Sequence, residues 1–305
     1  MASLLNSGAD EIVLVDDGSR VPFDGYTSNS PVVKALSLEN NRGLAGARNA
    51  ALDVVTGDFV TFVDSDDEVK PGIFTKCKNS LQRSGADVAL YGVRVIWPED
   101  GLQKEDAVSS GWAEKMAVPT PEDVLELHRR CLLNYSCNKV YRKAFLDHHE
   151  IRFDREGMPC EDIIFNINCI LSGARYCYLT DIGYIYYRTR GTLLSCYKKS
   201  SDIGMRHATA IWRRYKQSTP GAQEVLGFYG EIGEDQLAHI AWRNVWMPGT
   251  PYTLMQRWKM RPGMKFFKML TFMFSRRFFY FRPIRRWNTR RNYPNVTEWK
   301  DRERQ

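Results

Sequence analysis

Two short apolar runs, each ending in carboxylates, constrain this chain more than any other feature. Glu11-Ile-Val-Leu-Val-Asp-Asp-Gly-Ser19 and Gly57-Asp-Phe-Val-Thr-Phe-Val-Asp64 both read as buried strands that deliver acidic groups at their C-terminal ends. Between them, Asn40-Asn-Arg-Gly-Leu-Ala-Gly-Ala-Arg-Asn-Ala-Ala-Leu52 reads as a polar turn opening into an Ala-rich helix. Alternation of strand and helix at this length predicts an α/β fold with a mainly parallel central sheet. Ligands of such sheets gather outside the carboxyl ends of the strands.

A third strand is expected over Asp87–Ile96, followed by a polar stretch to about Pro121 that reads as a loop or insertion. Helical periodicity returns in Glu122–Leu133 and Asp162–Ser172, and the tyrosine-rich segment Tyr176–Arg188 reads as strand. Beyond Ser200 the pattern is mainly helical, which divides the chain into a catalytic unit over residues 1–200 and a helical extension over 201–305. With 305 residues, 43% of them hydrophobic, the chain can bury a sizeable core, which excludes a disordered protein. The seven cysteines form no C-x-x-C pair and have few histidines nearby, so reduced thiols in a cytoplasmic protein are expected rather than a zinc site. The N-terminus has no basic region followed by an apolar stretch, and no uncharged apolar run approaches the roughly 20 residues of a membrane span.

Charge is unevenly distributed. Residues 256–305 hold 15 Lys or Arg against 3 Asp or Glu, a balance of +12, so with a net charge of +7 the remainder of the chain carries −5. The tail therefore calls for an anionic partner. Its arginines alternate with bulky aromatics such as Phe266, Phe267, Phe278 and Phe279, a combination suited to an anionic membrane surface through residues 256–291. The alternative is that the aromatics pack on the rest of the protein while the charges are solvated. Nucleic acid is not the expected partner.

The strongest local chemical signal is Phe62-Val-Asp-Ser-Asp-Asp-Glu68, where three aspartates, Asp64, Asp66 and Asp67, are expected to follow a strand toward one crevice. Such a cluster is costly unless a cation occupies it, and oxygen-rich sites suit Mg²⁺ or Mn²⁺ bridging to substrate phosphates. A solvated acidic turn before the next helix is the competing reading.

In order along the chain, Val-Asp-Asp-Gly-Ser, the Asn-x-Gly-x-x-x-Ala-Arg-Asn turn-helix and Asp-Ser-Asp-Asp resemble the family-2 glycosyltransferases, inverting enzymes of the GT-A fold. Asn138-Lys139 with Tyr141-Arg142, Glu161-Asp162 and Tyr186-Tyr-Arg-Thr-Arg190 are similar to further segments of that family, and the likeness runs from about Ser3 to Ser195. The resemblance implies a transferase that moves a hexosyl or related group, with inversion, from a nucleotide-diphosphate donor to a glycan or glycolipid acceptor in cell-surface polysaccharide or glycolipid synthesis. It assigns Asp16 or Asp17 to the base and ribose of the nucleotide, with Arg48 nearby. Asp66 would hold Mn²⁺ or Mg²⁺ directly, and Asp64 would contact the ribose or the metal's water shell. Asp162 would be the general base, with Arg188 or Arg190 and the metal stabilising the departing diphosphate. Two positions keep a plainer reading beside this one. Arg48 could pair with the carboxylates of the first strand, and Asp162 could be an ordinary helix cap.

Other classes share some of these features. A nucleotidyltransferase shares the needs for nucleotide and metal, and an inactive member would only bind the nucleotide-sugar. A phosphoacceptor receiver domain leaves Asp-Ser-Asp-Asp, Asn138-Lys139 and Glu161-Asp162 unexplained. Relatives also begin with a further strand upstream of the point matched by Ser3-Leu-Leu-Asn-Ser7. That strand would lie inside the parallel sheet, so its lack is expected to leave neighbouring strands with unpaired backbone groups and to weaken stability or donor binding, and an upstream in-frame extension is expected to encode it.

Overall fold

The computed structural model describes residues 1–20, 30–113, 115–156, 160–189, 201–226 and 297–298. A short helix α1 (Ala2–Leu5) precedes β1 (Ile12–Asp16), which pairs in parallel with β2 (Val33–Ser37). Helix α2 (Gly43–Val54) leads to the short strands β3 (Phe59–Val60) and β4 (Glu68–Val69), then to α3 (Ile73–Ser84). The long strand β5 (Val88–Trp97) forms a hairpin with β6 (Leu102–Asp106). After β7 (Met116–Ala117) come α4 (Pro121–Arg129), β8 (Lys139–Arg142), α5 (Lys143–His148), α6 (Glu161–Leu171) and β9 (Tyr176–Tyr187). Helix α7 (Ser201–Ser218) follows, and β10 (Thr297–Glu298) pairs with β6.

Strand β5 organises the larger sheet. It pairs with β9 along one side and with β8 and β6 along the other, and alternation of side chains across the pleat sorts its residues between two cores. Val88 and Leu90 enter a core shared with α4, α6 and α7, while Ala89, Tyr91, Val93 and Val95 enter one shared with α3. Helices thus cover both faces. Ala208, Ile211 and Tyr215 of α7 pack into the same core as Ile164, Phe165 and Ile167 of α6, so the expected division at residue 200 does not separate their cores.

Three expectations change. The polar stretch before Pro121 contains β6 and β7, because its alternation Leu102-x-Lys104-x-Asp106 turns a buried side inward even though two of the three residues are charged. Of the eight described strand pairings, β1–β2 and β5–β9 are parallel and the rest antiparallel. Parallel pairing needs a long crossover, and the hairpin and short ribbons added around β5 and β9 need none. Finally, the strand expected over Gly57–Asp64 forms a ladder only at Phe59 and Val60, paired with β8.

Among the described residues the sheet is split, with β1 and β2 forming their own two-stranded unit. Ile12–Val15 and Phe59–Val63 both line one cleft of about 1680 Å³. Residues 61–67 join no ladder.

Candidate active site

Turn geometry sets the first group of candidate residues. Gly18 adopts φ +70°, and a Cβ there would lie 2.8 Å from the Asn41 backbone nitrogen, so glycine is required to bring the β1 turn against the start of α2. The Asp16 carboxylate accepts from the Ser19 backbone N–H at 2.9 Å, and hydrogen bonding from Ser19 holds its pKa below the ordinary value. Asp17 accepts from the Arg42 N–H at 2.7 Å, which satisfies one of the open amides at the start of α2. Both expected nucleotide contacts are thus tied to backbone amides at the mouth of the β1–α2 unit.

Arg48 is the centre of the site. It is 7% exposed, donates through Nη1 to Asp162 Oδ1 at 2.6 Å and through Nη2 to Asp64 Oδ1 at 2.8 Å, and lies 3.8 Å from Glu161 Oε1. The alternative partner expected for Arg48, a carboxylate of the first strand, is therefore replaced by Asp64 and Asp162. Burial alone would pull the guanidinium pKa down, but the charges of Asp162, Asp64 and Glu161 outweigh it and hold it above the ordinary value. Its planar face sits 5.1 Å from the Phe153 ring, which stacks on Phe165 of α6 at 4.1 Å. Asn49 makes a reciprocal pair with the Phe153 backbone, donating to its carbonyl at 2.9 Å and accepting from its N–H at 2.8 Å. The adjacent Arg and Asn of α2 thus fasten the first unit of the chain to the body.

The acidic turn does not point all of its carboxylates into one crevice. Asp64 faces Arg48, Asp66 is exposed, and Asp67 turns inward to accept from Tyr184 Oη at 2.7 Å and from the Tyr187 N–H at 2.9 Å. Burial pushes Asp67 up to about 8, with the like charges of Asp64 and Asp66 adding to the effect. Among the described residues no group of three or more His, Cys, Asp or Glu is placed to hold a metal. The donor set still fits Mg²⁺ or Mn²⁺, since such ions need only one or two carboxylates when substrate phosphates supply the remaining oxygens, and Asp64 and Asp66 are hard oxygen donors one residue apart.

Asp162 lies in the first turn of α6, whose N-cap is Cys160 without a side-chain cap bond, so Asp162 is not the cap residue. Its Oδ1 also accepts from Ser136 Oγ at 2.7 Å. Glu161 is buried, and burial followed by the charge of Asp162 raises its pKa while Arg48 draws it back. Arg188 lines the same cleft, its N–H donating to the Ile96 carbonyl at 2.8 Å. Arg190 and the tail lie outside the described residues. Ser136, the inward turn of Asp67 and the burial of Glu161 carry no periodicity or spacing that reveals them in the sequence. Among the described residues, Cys77, Cys131, Cys137, Cys169 and Cys177 are free thiols.

The α/β sheet covered by helices on both faces is a GT-A-like fold. Two structures of Staphylococcus aureus TarS residues 1–349 share this fold. One aligns over 84% of this chain and 73% of that one at 23% identity and TM-score 0.54, and the complex with UDP-GlcNAc aligns at 22% identity and TM-score 0.55 over 80% and 75%. Residues 1–149, just under half of the chain, match the model of Glycosyl transferase family 2. Succinoglycan biosynthesis protein ExoO of Rhizobium meliloti is 27% identical over 187 residues, covering 60% of this chain and 53% of that protein. The poly(ribitol-phosphate) beta-N-acetylglucosaminyltransferase TarS of Staphylococcus aureus is 30% identical over 184 residues, covering 59% of this chain and 30% of that protein. The matched region thus spans about half, or less, of these curated relatives.

Proposed function

We propose that this chain transfers a sugar from a nucleotide-diphosphate donor to an acceptor hydroxyl with inversion, in the synthesis of a cell-surface polysaccharide or glycolipid. One observation carries the reading. A single guanidinium, Arg48, ties Asp64 on the donor side to Asp162 on the acceptor side. An inverting displacement needs one base opposite the leaving group, and the Asp162 carboxylate would take the acceptor's proton as its oxygen attacks the anomeric carbon. Arg188 on the cleft wall offers a permanent positive charge to the departing diphosphate, and Arg190 is assigned the same role from its place in the motif. Asp16 and Asp17, at the mouth of the first unit, would meet the base and ribose. Asp64 and Asp66 would hold a Mn²⁺ or Mg²⁺ ion, which when bound offsets charge developing on the leaving diphosphate.

The names of the relatives support this reading, since ExoO is a succinoglycan biosynthesis protein and TarS is a transferase solved in complex with UDP-GlcNAc. No described helix is long and apolar enough to cross a membrane. Peripheral contact with the inner face of a membrane rests on the charge of residues 256–305, and a lipid-linked acceptor would make such contact useful.

A panel of nucleotide-sugars with Mn²⁺ tests the proposal. One donor at about 100 times its Kd is expected to raise the melting temperature by roughly 5–10 °C, and the product formed from it to carry the inverted anomeric configuration. Stabilisation by no nucleotide-sugar, or a product of retained configuration, contradicts the reading.

A further inference from the structure

The turn over residues 132–137 is built unlike an ordinary loop. Loops usually lie at the surface with carbonyls facing water, but here interior side chains take up most of the backbone oxygens. The Leu132 carbonyl accepts from Lys139 Nζ at 2.7 Å and from Asn138 Nδ2 at 3.3 Å. The Leu133 carbonyl accepts from Asn166 Nδ2 at 2.9 Å, and the Tyr135 carbonyl from Lys139 at 2.5 Å and Asn166 at 3.0 Å. The Ser136 carbonyl accepts from Tyr141 Oη at 3.4 Å and the Cys137 carbonyl from Tyr91 Oη at 2.7 Å.

These donors are themselves committed. Asn138, Lys139 and Asn166 are each 0% exposed, Lys139 gives its third bond to Asn138 Oδ1 at 2.7 Å, and Tyr141 Oη also bonds Asn166 Oδ1 at 2.8 Å. Burial pushes the Lys139 ammonium down to about 7, while three oxygens within 2.7 Å hold its proton. A fully buried lysine with no carboxylate partner is costly unless its donors are all used. Here two go to carbonyls of that turn and the third to Asn138.

From that turn Ser136 reaches Asp162. Ser136, itself 0% exposed, donates to Asp162 Oδ1, the same oxygen that Arg48 grips. Both bonds fall on Oδ1, so they fix the rotation of the carboxylate and direct the other oxygen away from its two anchors. From this geometry we infer that Ser136 is a positioning residue for Asp162, and that the Asn138–Lys139–Asn166–Tyr141 frame exists to hold the Ser136 hydroxyl in place. The inference rests on Asp162 being the base, and it gives the buried Asn-Lys pair a task that donor or metal binding does not.

The experiment is steady-state transfer by Ser136→Ala, with donor affinity and melting temperature measured on the same preparation. Loss of one of the two anchors is expected to lower kcat about 10- to 100-fold, the scale on which small misplacements of reacting groups act. Donor KM and donor Kd should stay within about twofold, because Ser136 touches Asp162 and not the acidic turn. Tyr141→Phe removes only the phenol oxygen that braces Ser136 and Asn166, and it should show the same split at about 3- to 10-fold in kcat. A Ser136→Ala protein with wild-type kcat overturns the positioning role, as does a fall in kcat matched by an equal loss of donor affinity. If the wild-type chain itself releases no nucleoside diphosphate with any donor, the functional reading and this role fall together. Wild-type turnover beside an unaffected Ser136→Ala protein overturns the role alone.

Discussion

Strands β1 and β5 look alike in sequence, both apolar runs rich in Val, yet they end in different environments. Nine of the ten residues of β5 are buried and it is paired on both sides, whereas only Ile12 and Asp16 of β1 are buried and it is paired on one side. The comparison teaches that the burial of such a strand comes from its neighbours and not from its own side chains. The first unit, β1, β2 and α2, is held to the body largely through side chains. Arg48 reaches Asp64 and Asp162, Asn49 pairs with Phe153, and Glu11 accepts from Thr56 and Gly57. The active site is assembled across this joint, so the bonds that hold the two regions together are also the bonds that orient the chemistry.

Arg48→Ala is the sharpest way to break the comparison. Removing the partner of buried or half-buried carboxylates typically costs about 3–5 kcal/mol, which for a chain of this size lowers the melting temperature by on the order of 10 °C. A melting temperature within about 2 °C of wild type shows that the guanidinium does not hold the regions together.

Amide exchange compares the regions directly. Amides of β1 and β2 should exchange at least about 100-fold faster than those of β5, because one-sided pairing and partial burial leave local opening with little to oppose it. Equal protection in the two strands removes the distinction.

A smaller effect is expected from Asp67, which lies within the body and braces the acidic turn through Tyr184 and Tyr187. Its pKa is raised from 3.8 to about 8, so folding favours the protonated form. That contribution is fully present below about pH 4 and is lost as pH rises through about 8, which makes the protein less stable at pH 8.5 than at pH 5. Asp67→Asn keeps the shape without the titration and should narrow the difference in melting temperature between those two pH values by several degrees. An unchanged difference assigns the pH dependence elsewhere.

Much of this arrangement was legible because the motifs are local. Hydrophobic patterning located β1, β5, α6 and β9 to within a few residues, and the ordered motifs singled out Arg48, Asp64 and Asp162 as candidates. What stayed hidden depends on partners far apart in the chain. Ser136 meets Asp162 across 26 residues, Arg48 meets it across 114, and Asp67 turns inward because Tyr184 and Tyr187 wait there. Charged residues on a buried strand misled in the other direction. Lys104 and Asp106 satisfy each other at 2.8 Å, which lets β6 run through a stretch that reads as loop.

The central claim is that Asp162 acts on the acceptor side while the acidic turn holds the donor, and donor binding and transfer by Asp162→Asn test it most directly when measured side by side. The amide keeps the shape of the carboxylate and cannot take the acceptor's proton. The expected result is a fall in transfer of about 10²–10⁴-fold, the usual contribution of a general base, with metal-dependent donor affinity nearly intact. Transfer within severalfold of wild type would contradict the account.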